Sequence, residues 1–137
     1  MGTRSLVHFQ ENGETFCTVY QQFDGYPDGV GKQIFDLLDE VTLVNGIPCD
    51  GGGPYANGVG CLAAQYIARH KEGAGGLYLY RPDANDCWEE YTYFVNVEAD
   101  YDDIRNSKIK VTISVNDDQF VGTVEQFGKW IENPDED

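Results

Sequence analysis

Two hexapeptides in this chain share a pattern suited to holding an anion. Tyr26-Pro27-Asp28-Gly29-Val30-Gly31 and Tyr55-Ala56-Asn57-Gly58-Val59-Gly60 lie 29 residues apart, and an amphipathic run follows each. A helix start leaves backbone N–H groups without intrahelical partners and adds the positive end of the peptide dipoles. Glycine there removes side-chain cover, so a phosphate or carboxylate can approach the donors closely. The amides of Gly29 to Gly31 and of Gly58 to Gly60 are therefore candidate phosphate donors. Tyr26, Tyr55 and Tyr80 are candidate rings for stacking on a base. Cations are scarce in this chain, and Lys32, Arg69 and Arg81 are the ones placed to neutralise bound phosphate.

A plainer reading of the same residues stays open. Asp28 and Asn57 are good N-caps, glycine permits tight turns and close packing of helix on sheet, and tyrosines belong in a core. Known nucleotide fingerprints fit badly. Gly58-x-Gly60-x-x-Ala63 matches the dinucleotide pattern in letters, but a Gly-rich loop is expected before it instead of a strand. Gly31-Lys32 lacks the spacing and the hydroxyl residue of a P-loop.

Catalytic constellations are not evident. His8 falls in an expected strand and His70 in the last turn of an expected helix, where structural or dipole roles are ordinary. The acidic groups Asp83/Asp86/Glu89/Glu90 and Asp100/Asp102/Asp103 lack the alternation and central glycine of a calcium loop. Cys17, Cys49, Cys61 and Cys87 form no Cys-x-x-Cys pair, which disfavours zinc and suggests buried thiols. No cofactor is implied, and a binding protein is expected rather than an enzyme.

These candidates need elements to position them. "SLVHFQ" and "TFCTVYQQF" flank Asn12-Gly13 and read as a hairpin. From Pro27 the period becomes helical, with Val30, Ile34, Leu37, Leu38 and Val41 on one stripe. A Gly/Pro-rich loop, "NGIPCDGGGPYANG", leads to a second helix with Val59, Leu62, Ala63, Tyr66, Ile67 and His70 on one face. "GLYLYRP", "EYTYFVNVEA" and "KIKVTISVN" read as strands, the last two joined by the acidic turn "DYDDIRN". "FVGTVEQFGKWIEN" reads as a strand turning into a short closing helix. The expected fold is α+β: an antiparallel sheet of about five strands with two main helices on one face and a short C-terminal helix. Residues 1–132 form one expected domain, and 133–137 an acidic tail.

Composition narrows the partners. The chain of 137 residues carries 24 acidic and 9 basic side chains, for a net charge of −15. Residues 72–137 hold 16 of those acids against 5 bases. A field of this sign opposes nucleic acid and anionic membranes, whose binding depends on Lys and Arg meeting phosphate. No apolar run reaches the length of a membrane span, so a soluble, cytoplasmic protein is expected.

With "MGTRSLVHF", "FDGYPDGVGK", "NGVGCLAAQ" and "GGLYLY", the chain resembles small uncharacterised proteins of bacteriophages and other large DNA viruses. Its first two elements also resemble the phage anti-defence sponge proteins that counter the Thoeris immune system, a likeness carried by the first third of the chain. The resemblance implies a viral protein in the host-cell cytoplasm that binds a cyclic ADP-ribose type or cyclic nucleotide signal without cleaving it, as a homo-oligomer. An acidic interaction protein that mimics nucleic-acid charge to occupy a host protein is the alternative.

Overall fold

The first strands follow from their turn. Asn12 and Gly13 take φ of 50° and 86°, the left-handed pair that matches the twist of a tight hairpin. They join β1 (Ser5–Glu11) to β2 (Glu14–Gln21). The computed structural model describes residues 3–44, 55–85, 87–98, 109–116 and 118–134. The expected Gly/Pro-rich loop through residue 54, Cys49, Asp86, the acidic turn with Arg105, and residues 135–137 lie outside these.

A single π-helical turn (Pro27–Gly31) leads into α1 (Lys32–Glu40). Two short strands, β3 (Thr42–Val44) and β4 (Tyr55–Asn57), pair in parallel, and β4 runs directly into α2 (Gly58–His70). Then come β5 (Leu77–Tyr80), β6 (Tyr91–Glu98), β7 (Lys110–Val115), β8 (Phe120–Gly122) and α3 (Val124–Glu132). Thr123 starts α3 with a reciprocal capping box to Gln126, which satisfies two otherwise orphan donors.

The main sheet has six strands in the order β5-β2-β1-β6-β7-β8. It is mixed, which corrects the expected antiparallel sheet of about five strands. β1 and β6 run parallel at the centre, from Ser5 opposite Tyr91 to Glu11 opposite Val97. The cause is a return path: after β5 pairs with β2, the chain crosses back and adds β6 on the far side of β1. Residues 81–85 and 87–90 lie along that crossing, over the sheet face turned away from the helices. Thr18 Oγ1 donates to the Pro82 carbonyl at 3.4 Å, and the Glu90 amide donates to the Arg4 carbonyl at 2.9 Å. Leu6, His8 and Thr18 are buried on this face.

On the opposite face, Val7, Phe9, Val19, Tyr93, Val95 and Ile113 form the sheet side of the core. Val30, Ile34, Leu37, Leu38 and Val41 are buried as their spacing predicts, while on α2 the buried set is Val59, Leu62, Ala63 and Tyr66. Ile34, Leu37 and Leu62 are each at most 1% exposed, which is worth on the order of 2 kcal/mol apiece. Among the described residues no helix is long and apolar enough to cross a membrane.

Candidate functional site

The first glycine-flanked start is closed by its own backbone. The Tyr26 carbonyl accepts from the Gly29 amide at 2.9 Å and from the Gly31 amide at 3.3 Å, and the Val30 amide donates to the Asp24 carbonyl at 2.8 Å. The expectation of bare donors at Gly29 to Gly31 is therefore corrected. Asp24 adopts φ of 59°, which turns "FDG" back so that its carbonyl occupies the space a side chain at Gly29 would need. Gly31 packs against Ile131, Phe127 and Tyr93. Close approach explains both glycines. Asp28 does not cap: Tyr26 stands in the cap position and Asp28 lies within the first turn. Lys32 pairs with Asp36 at 2.5 Å and lies 5.6 Å from the centroid of the Phe35 ring. Tyr26 is half-exposed, edge-on to Tyr91.

The second start is built differently. A short strand, β4, precedes it instead of the expected loop alone, yet α2 leads on to β5 in the other sheet, so no dinucleotide βαβ unit forms. Asn57 occupies the N-cap position without a side-chain cap bond. Gly58 has φ of 80°, and among the described residues no neighbouring atom lies within 4 Å of where its Cβ would be. The Phe16 ring is 3.4 Å from the corresponding point on Gly60. Tyr55 is half-buried, and its carbonyl accepts from Gln65 Nε2 at 2.8 Å.

Phe16 was not foreseen as part of this region. The β1–β2 register passes from Phe9 opposite Cys17 to Gln10 opposite Thr15, which leaves Phe16 as a bulge residue. A bulge re-aims its side chain. Here it brings a 56% exposed ring to the start of α2. Nothing in "ETFCTVYQ" marks a bulge.

The first turn of α1 is met by the second half of α2 and not by its start. Tyr66 Oη reaches Gln33, in the first turn of α1, at 3.3 Å, and Tyr66 is eight residues along α2 from Gly58, a displacement of about 12 Å. Arg69 lies farther along α2 and pairs with Glu40 at 2.8 Å. Tyr80 is on the other side of the sheet: it pairs with Thr18 and stacks on Tyr20 at 5.1 Å and 9°. Exposed Arg81 follows it. The twelve expected ligand residues thus fall into separate groups, and the sheet separates Tyr80 from both helix starts.

Burial favours the neutral forms of His8, His70 and Cys17. His8 Nδ1 is 2.7 Å from Thr18 Oγ1, a hydrogen bond whose direction follows the ring tautomer. Burial pushes the His8 pKa down against a smaller upward pull from Glu89. Burial and the Arg69 guanidinium lower His70, so it acts as a packing group against Tyr66, 4.8 Å away between ring centroids. Burial raises the Cys17 thiol, which weakens it as a nucleophile. Among the described residues no group of three or more His, Cys, Asp or Glu is disposed to hold a metal ion.

A groove that the sequence did not reveal runs between α1 and α3. Lys32 lies near Glu132, and Leu38 near Val124, so the helices are antiparallel. Two adjoining hollows of about 530 and 350 Å³ share Phe35, Gly128 and Glu132. Gly128 is required here, since a Cβ would collide with the Phe35 ring. Asp28 and Lys32 line the smaller hollow, so the first hexapeptide contributes side chains to a cavity although its amides are engaged. No family model, curated protein or solved structure matches the chain.

Proposed function

We propose that the protein is a non-enzymatic binding protein that captures a small phosphorylated nucleotide, of the cyclic ADP-ribose or cyclic nucleotide kind, and withholds it from a host immune effector. The observation that carries this reading is the start of α2. Gly58 opens a helix of 13 residues, among the described residues no atom lies within 4 Å of where its Cβ would stand, and the exposed Phe16 ring lies beside Gly60. Phosphate would take the amides of the first turn while the base stacks on Phe16 or Tyr55. The resemblance to viral sponge proteins supports the same ligand class.

Tyr80, on the opposite sheet face, joins such a site only from a second copy of the chain, as in a homo-oligomer that binds at a subunit interface. Tyr26, Gly29 and Gly31 hold the fold in this reading, and Arg69 stays paired with Glu40.

Calorimetric titration against cyclic dinucleotides and cyclic ADP-ribose isomers tests the proposal. Gly58→Asn and Gly58→Asp are the variants of choice, because Asn and Asp tolerate positive φ better than other side chains. One panel member should bind the parent, and the Asp carboxylate should abolish that binding while Asn retains part of it. A folded parent that gives no heat with any compound, or undiminished binding by Gly58→Asp, overturns the reading.

A further inference from the structure

We infer that the groove between α1 and α3 is a docking surface for a cationic amphipathic helix of a partner protein. Its floor is apolar: Phe35, Leu38, Val124 and Ile131, flattened where the Phe35 ring lies against Gly128. Its rim carries the carboxylates Asp28, Asp39, Glu125 and Glu132. Of the two rim lysines, Lys32 is engaged by Asp36, and Lys129 is a loose 3.8 Å from Glu125 with both side chains about four-fifths exposed. A third hollow of about 470 Å³ shares Leu38, Val124 and Glu125 and extends the seam toward Leu43 and Ile109, where Lys110 adds one cation beyond the stretch lined by the four carboxylates.

The seam follows the nine residues of α1, about 14 Å. That length accepts a peptide helix of about three turns, with anchors at i, i+3 or i+4, and i+7. The charge of the rim selects among occupants. A second copy of this chain brings a net charge of −15, and nucleic acid or an anionic membrane brings the same sign. A helix with one apolar stripe flanked by Lys or Arg meets both floor and rim. This inference is independent of the nucleotide reading, since Gly58 and Phe16 lie outside the groove.

The test is fluorescence anisotropy of the full chain with three labelled 14-residue probes. One is a Leu/Lys amphipathic helix, one its Leu/Glu counterpart, and one a Lys/Gly/Ser peptide of equal charge without an apolar face. The Leu/Lys probe should bind, weaken with salt, and bind about tenfold or more tightly than either control. The pair Glu125→Lys and Glu132→Lys should weaken it about tenfold, whereas Glu14→Lys and Glu98→Lys, the same change in net charge elsewhere, should leave it within about twofold. Amide exchange of the unmutated protein should show probe-dependent protection in α1 and α3. Equal binding of the Lys/Gly/Ser probe, equal loss from the distant reversals, no loss from the groove reversals, or protection elsewhere overturns the inference. So does a dimer in sedimentation that the groove reversals dissolve, which would assign the groove to a second copy.

Discussion

The Tyr66 hydroxyl in the middle of α2 donates to Gln21 Oε1 at the end of β2, and Gln21 Nε2 donates to Gln33 Oε1 on α1 at 3.0 Å. Tyr66 is fully buried and Gln21 nearly so. One polar chain thus ties the sheet to both main helices. Tyr66→Phe keeps the ring and removes the donor, leaving the Gln21 oxygen short of a partner away from water. The expected loss is about 1–3 kcal/mol in urea unfolding, with the fold retained by circular dichroism. A change near zero would show that Gln21 finds another donor.

Gly29 and Gly58 occupy matching positions of the two hexapeptides, yet their alanine variants should differ. At Gly29 a methyl group meets the Asp24 carbonyl, which also accepts the Val30 amide, so backbone must move at a cost of about 3 kcal/mol. At Gly58 space is open and only the positive φ is penalised, about 1–2 kcal/mol. Thermal unfolding of the two variants side by side gives the order, and reversed ranks would refute the assignment.

Gly128→Ala should destabilise by about 1–3 kcal/mol through overlap with Phe35. In a double-mutant cycle with Phe35→Leu, which removes the clashing ring edge, the pair should lose less than the sum of the single losses by about 1 kcal/mol. Additive losses would mean that the two residues do not constrain each other.

The pH dependence of stability should carry a His8 contribution. Its pKa is lowered by burial from the ordinary 6.5, so below pH 6.5 the unfolded chain takes up a proton that the folded chain resists. Stability from this group is complete above pH 6.5 and falls as pH drops through the interval down to its folded pKa. The quantity to measure is the difference between the parent and His8→Asn, in which contributions from other groups cancel. The Asn amide offers both a donor and an acceptor to Thr18. The parent should lose more stability than the variant between pH 7 and 5; parallel curves would remove His8 from the account.

The hairpin at Asn12-Gly13, the apolar stripes of α1 and α2, and the closing strand and helix were legible because they depend on neighbours in the chain: positive φ at a tight turn, and recurrence at helical spacing. Val30, Ile34, Leu37, Leu38 and Val41 are buried for that reason. The parallel pairing of β1 with β6 was not legible, since both strands carry similar apolar patterns and only the return of the chain across the sheet between β5 and β6 sets their direction.

The candidate site divides along the same line. By itself the sequence determined that two similar hexapeptides precede two helices, and that cations are few. Only the tertiary structure decided what those glycines do, because a residue without Cβ serves equally for an open start and for close packing, and the choice rests with atoms remote in the chain. Asp24 and Phe127 close the first start, while a bulge in β2 brings Phe16 to the second. The groove between α1 and α3 likewise arises from long-range contact, where Phe35 meets Gly128.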